Sequence, residues 1–145
     1  MAKICQIGSG MIGQTMALDL AEDHDVCLGD IEIDNVNDKI KNHPSINLLK
    51  VDARDVKQVS SFIINADIVL LAVPGHLGFK ILKIIIECGK NVVDISFSPE
   101  DLMELNKNAI KNNVTAIFDS GVAPGIPNYI FGYYNSFEKI TSFKY

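Results

Sequence analysis

Three glycines in the stretch QIGSGMIGQ, Gly8, Gly10 and Gly13, stand at the spacing G-x-G-x-x-G. Residues without side chains at that spacing let a chain turn sharply and bring backbone amides close to a phosphate. Gly8 permits the tight turn, Gly10 leaves room for a pyrophosphate against the backbone, and Gly13 lets a following helix pack on the preceding strand. Ser9, Met11 and Ile12 fill the turn and the helix start, where exposed amides and the positive dipole end favour an anion. A carboxylate extends the set. Asp30 lies 22 residues after Gly8, where it can accept both hydroxyls of a ribose, with Ile31 beside it. That carboxylate repels a 2′-phosphate, and no arginine follows in DIEID, so NAD is expected in preference to NADP.

The glycine pattern alone is weak, since a sharp strand-to-helix turn would also explain it. Its surroundings decide. KICQI (3–7) reads as a buried strand directly before the turn, and a helix follows over about 11–22, with Ile12, Met16, Leu20 and Ala17 at helical spacing. Further strands are expected at 25–30, 46–52, 67–74, 91–96 and 114–119. Between them lie a weak short helix within 32–42, a helix over 56–64, and one over 77–88 closed by Gly89 as a C-terminal glycine cap. Another helix begins near Ser98 as N-cap, with Pro99 in its first position and two acids in its first turn. Strands that alternate with helices and are apolar along their whole length belong to a parallel sheet covered on both faces. The expected fold is α/β, a three-layer Rossmann-type doubly wound sheet in the order 3-2-1-4-5-6.

Composition narrows the class. The chain has 145 residues, 48% hydrophobic and 21% charged, and a formal net charge of -5, which suit a globular domain. The acidic balance argues against a nucleic-acid partner, which needs a basic face, but not against a dinucleotide held by amides. Cys5, Cys27 and Cys88 have no C-x-x-C spacing, so no disulfide framework or zinc site is suggested; Cys5 and Cys27 read as small hydrophobes in apolar runs. MAKICQIG has no stretch of signal-peptide length, and IVLLAV and ILKIII are too short to span a bilayer. A soluble cytoplasmic chain with no membrane partner is expected.

The second half carries three loops at strand ends: AVPGHLGF (72–79), DISFSPED (94–101) and DSGVAPGIPN (119–128). Together with the glycine turn they resemble the saccharopine dehydrogenase family, including its lysine 6-dehydrogenase-like members, in the right order along nearly the whole chain. The last loop is the most specific of the three. The resemblance implies an NAD(P)-dependent oxidoreductase that passes hydride to or from the CH–NH carbon of an amino acid. It places Val73, Pro74 and Gly75, with Asp94, Ile95 and Ser96, at the nicotinamide end, and Asp52 and Ala53 near the adenine. It also implies a larger protein, whose second α+β domain carries most substrate contacts and the interface of a homodimer. On that reading residues 1–135 are the dinucleotide domain, and 136–145, alternating Phe137 and Ile140 with polar residues, open the second domain as a strand.

Single residues remain open at this stage. Asp94 and Asp119 end strands on the same sheet edge, and either orients a substrate ammonium or caps its own loop. Amine dehydrogenation needs a base near working pH; His76 is a loop histidine rather than a convincing candidate, and His24 and His43 read as solvent-exposed. The base is expected in a part of the protein beyond this chain, or proton removal runs through water. A regulatory NAD(H)-binding module, such as the domains that gate potassium transport, shares the glycine turn and acid and is the alternative. It is not expected to carry VAPGIPN or SFSPED.

Overall fold

Near-continuous apolar strands demand cover on both faces, and six of them form one parallel sheet here. The computed structural model describes residues 1–144. The strands are β1 (Lys3–Ile7), β2 (Asp25–Asp30), β3 (Ile46–Lys50), β4 (Ile68–Leu71), β5 (Val92–Asp94) and β6 (Ala116–Ile117). They run in the order β3-β2-β1-β4-β5-β6, as the alternation of elements predicts. The order reverses at β1. Its Ile7 is in register with Gly29 of β2 on one side and Leu71 of β4 on the other. A crevice opens beyond the carboxyl ends of the strands at such a reversal, because the connections leave to opposite faces.

The helices are α1 (Met11–Leu20), α2 (Asp38–Lys41), α3 (Val56–Ile63), α4 (Gly75–Glu87), α5 (Asn106–Lys111) and α6 (Ile126–Asn135). Strand alternation divides the core. Cys5, Ile7, Val69 and Leu71 pack under α3 and α4 with Ile63, Ile81 and Ile85, while Val26 and Leu28 pack under α1 and α2 with Ala17 and Ile40. Gly89 closes α4 with φ +69, the left-handed conformation a C-terminal glycine supplies. No helix among the described residues is long and apolar enough to cross a membrane.

Four expectations differ from the structure, each for a local reason. The buried side of α1 is Gly13 and Ala17, with Ala21 just beyond, whereas Ile12 is 64% exposed. The helix lies too close to the sheet for a large residue there: a Cβ on Gly13 would overlap the carbonyl of Gly8. Ser98 does not cap a helix. Its hydroxyl turns to the Gly75 carbonyl at 3.4 Å, and a 3-10 turn (Leu102–Leu105) capped by Asp101 precedes α5. His24 and His43 are half-buried, and each Nδ1 accepts a backbone amide, from Ala2 and Ser45 respectively. Residues 136–144 form turns and bends without a strand. Phe137 stacks edge-on against Tyr133 and Tyr134 of α6 instead, with no neighbouring strand to pair with among the described residues.

Candidate functional site

The three glycines do different work. Gly8 turns the chain with φ +107, and a Cβ there would overlap the Ala72 carbonyl at the end of β4. Gly13 is likewise held against the Gly8 carbonyl. Gln6, fully buried in β1, donates from Nε2 to the carbonyls of Gly8 (2.9 Å) and Gly13 (2.7 Å), clamping the turn from beneath. Gly10 is unlike both. Its φ is -63°, open to any residue, and a Cβ on it would meet no atom within 4 Å. The fold needs glycine at positions 8 and 13; at position 10 it leaves empty space.

That space lies at the start of α1. Gly10 supplies no side-chain cap and the first turn holds no acid. The amides of Met11, Ile12 and Gly13 have no acceptor within the helix, as at every helix start, and no backbone acceptor elsewhere among the described residues. By contrast, Asn37 caps α2 and Asp55 caps α3 with their side chains. The N-terminus of α4, at Pro74, is uncapped too. Of the four helix starts without a side-chain cap, those of α1 and α4 open on one cavity of about 790 Å³, within the range of roughly 300–1,000 Å³ usual for small-molecule sites.

The cavity brings together Gly8, Ser9, Gly10, Asp30 and Ile31 with Asp52, Ala53, Val73 and Pro74. Met11, Ile12, Gly13, Gly75, Asp94, Ile95, Ser96 and Asp119 do not line it. Gly75 stays close behind: a Cβ there would overlap the Phe97 carbonyl, so the start of α4 and the loop after β5 are packed as one unit. Asp30 reaches the turn directly. Its Oδ2 accepts the Ser9 amide at 2.6 Å and its Oδ1 the Glu32 amide at 3.0 Å. An ionised carboxylate has about four lone-pair sites, so capacity remains for a ligand's hydroxyls.

Gln14, Glu32, Asn35, Arg54 and His76 also line the cavity. Gln14 braces the turn, donating to the Ser9 carbonyl (2.8 Å) and accepting the Asn37 amide (2.9 Å). Periodicity gives no hint of that role. Gln6 did leave a signal, as a lone polar residue inside an apolar strand. Arg54 grips Asp52 side-on through Nε (2.9 Å) and Nη2 (2.8 Å), and these hydrogen bonds hold the Asp52 carboxyl down at about 2.

Asp94 is fully buried beneath the sheet edge. Its Oδ1 accepts the Ser96 amide at 2.7 Å, the loop-capping arrangement, while its Oδ2 and the Ser96 hydroxyl have no partner among the described residues. Burial pushes its pKa up, hydrogen bonding from Ser96 opposes that, and the charge of Asp119 adds to the rise. A raised carboxyl makes the folded state bind more protons than the unfolded chain between the ordinary and the raised pKa. Stability contributed by protonated Asp94 is therefore present at low pH and lost as pH rises through the folded value. Asp94→Asn, which keeps the acceptor for Ser96, is expected to flatten that fall. Urea midpoints measured against pH for both proteins check it, and parallel curves would refute it.

The sequence model of the saccharopine dehydrogenase NADP binding domain matches residues 4–117. The chain belongs to that family. The matched segment contains the glycine turn, Asp30 and the loops after β3, β4 and β5, and it ends before the DSGVAPGIPN loop. Among solved structures, apo saccharopine dehydrogenase (L-Glu forming) from Saccharomyces cerevisiae superposes with a TM-score of 0.80 at 22% identity, over 94% of this chain. The chain spans only 31% of that protein. Apo scyllo-inositol dehydrogenase from Lactobacillus casei gives 0.63 at 16% identity over 81% of this chain and 36% of its own. A short-chain dehydrogenase/reductase from Veillonella parvula in complex with NADP gives 0.56 at 17%, covering 64% and 46%. At such identities these likenesses concern the fold. The domain is a nicotinamide-dinucleotide-binding module of Rossmann type, and its open Gly10 and uncapped helix start fit such a group.

Proposed function

We propose that the chain is the NAD-binding part of an amino-acid oxidoreductase that moves hydride to or from the CH–NH carbon of a lysine- or saccharopine-like substrate. One observation carries the cofactor half of this reading: glycine at position 10 serves no need of the fold and leaves open space at an uncapped helix start. The amides of α1 hold the pyrophosphate there, with the helix dipole adding attraction. Asp30, anchored through Ser9, takes the ribose hydroxyls. Val73 and Pro74 border the nicotinamide end, while Gly75, Asp94, Ile95 and Ser96 support it from behind. The nicotinamide, when bound, accepts or returns the hydride. The carboxylates lining the cavity, Asp30, Glu32 and Asp52, belong to the ends of β2 and β3, away from that chemistry. His76 is the titratable side chain that lines the cavity beside Pro74; it is an exposed histidine in the first turn of α4. In this reading proton removal from the substrate nitrogen falls to water or to a group outside this domain.

The substrate class rests on the family and on the DSGVAPGIPN loop at the same sheet edge. The length of the yeast relative, of which this chain spans 31%, supports a second domain; the family resemblance assigns the substrate contacts and a homodimer interface to it. The full-length gene product, supplied with NAD and lysine or saccharopine, is expected to form NADH. Dinucleotide binding without turnover on either would favour a regulatory domain.

Preference for NAD over NADP follows from charge. Asp30 and Glu32 both carry negative charge at the β2 end of the cavity, and a 2′-phosphate would add more. Asp30→Asn keeps an acceptor for the Ser9 amide and removes one charge. Its ratio of NAD to NADP affinity is expected to fall about tenfold, or ~1.4 kcal/mol. Equilibrium titration with both dinucleotides measures it, and an unchanged ratio counts against Asp30 as the discriminator.

A further inference from the structure

The β2–β3 end of the cavity holds a feature that the glycine turn and Asp30 do not use. Arg54 follows β3 on the cavity wall, with its side chain 64% exposed. Three hydrogen bonds fix it to Asp52: Nε and Nη2 bind the two carboxylate oxygens, and its own amide donates to Oδ1 at 2.9 Å. One edge of the guanidinium is thereby fully engaged. No other hydrogen-bond partner of the side chain is found among the described residues, so Nη1 is unengaged, and at 64% exposure much of the guanidinium plane is open. An exposed arginine is ordinarily mobile, and a fixed guanidinium plane on a cavity wall is pre-organised for stacking.

Two ligand groups could use a guanidinium at this end, a 2′-phosphate through charge or a purine base through its plane. Local charge separates them. Asp52 neutralises Arg54, and Asp30 and Glu32 line the same end of the cavity, so a phosphate would meet excess negative charge. A neutral flat base pays no such penalty and gains from stacking on the planar guanidinium.

We propose that Arg54 is the adenine-binding residue of the site, its Asp52-clamped guanidinium stacking on the base and acting as a plane rather than as a charge. The inference rests on the dinucleotide reading above. It names the residue that sets affinity for the adenosine half without distinguishing NAD from NADP.

The test uses the 145-residue chain, titrated with NADH, NADPH and reduced nicotinamide mononucleotide, which lacks the adenosine half. Arg54→Ala is expected to weaken NADH and NADPH by the same factor, about tenfold, as for the loss of one base stack. Its affinity for the mononucleotide should match the parent. Arg54→Lys, which keeps the charge and loses the plane, should be as weak as the alanine variant. Parent-like binding by Arg54→Lys, with a loss confined to NADPH in Arg54→Ala, would overturn the proposal in favour of 2′-phosphate recognition. Parent-like binding of both dinucleotides by Arg54→Ala would leave Arg54 without a role. A parent chain that binds neither dinucleotide defeats the underlying cofactor reading, and the Arg54 assignment with it. Thermal melts of each variant check that the exposed substitution leaves the fold intact.

Discussion

Gly10→Asp is expected to remove dinucleotide binding by about 100-fold or more, ~2.7 kcal/mol, while leaving the domain as stable as the parent or slightly more so. The two effects have opposite signs because the fold and the ligand want different things at this position. A Cβ at residue 10 meets nothing within 4 Å, and the backbone, at φ -63° and ψ -176°, is one that any N-cap residue adopts. Aspartate is a better N-cap than glycine by a few tenths of a kcal/mol, and a negative charge at a helix start adds about 0.3–1 kcal/mol. The same carboxylate would occupy the space left for the pyrophosphate, accept the amides meant for it, and repel it. Paired measurements decide: urea unfolding for stability and titration with NADH for binding. Saturating NAD should also raise the parent's melting temperature by mass action and leave the variant's unchanged. Unfolding of the variant would mean that Gly10 is there for the turn. Parent-like binding would place the pyrophosphate elsewhere.

This contrast bears on what could be read from residues alone. The strand order follows from apolar runs alternating with helices, a pattern set by burial on both faces, and Asp30 follows from the fixed length of a strand–helix–strand unit. The pattern could not separate Gly10 from Gly8 and Gly13, because three identical letters conceal three different environments. Two are closed by backbone carbonyls and one is open. Nor did periodicity place Ile12, whose spacing suits a core face although the contact it would occupy belongs to Gly13 and Ala17. Closeness of approach between helix and sheet is a tertiary fact. Arg54 is hidden from the sequence for a similar reason. It lies outside DIEID after β2, and the end of β3 comes alongside that segment only in the folded sheet, where Asp30 pairs with Lys50. Ser98 shows the limit of local capping rules: the sequence offers it a helix to cap, and packing gives its hydroxyl to the Gly75 carbonyl.

Gly8→Ala should produce the largest loss of stability among substitutions in the turn, about 3–5 kcal/mol from a total that for most domains is roughly 5–15. Two costs add. At φ +107 a residue with a Cβ lies in sparsely populated backbone space, at about 1–3 kcal/mol. The new methyl would also overlap the Ala72 carbonyl, and neither side can yield cheaply. Ala72 is tied to β1 by its amide, which donates to the Ile7 carbonyl at 2.8 Å, and Gly8 is tied to β2 by its own amide, which donates to the Gly29 carbonyl at 2.9 Å. Relieving the overlap means breaking a bond that joins β1 to a neighbour at the point where the sheet reverses. A fall of about 10–15 °C in melting temperature is expected for a domain of this size, with the urea midpoint lowered and its slope unchanged. Binding would weaken as well, since Ser9 and the Asp30 carboxylate that holds it would shift with the turn. That loss should track stability, unlike the loss in Gly10→Asp. A Gly8→Ala protein as stable as the parent would mean that the turn is not clamped between β1, β2 and β4, and the open space at Gly10 would then lose its standing as a preformed phosphate cradle.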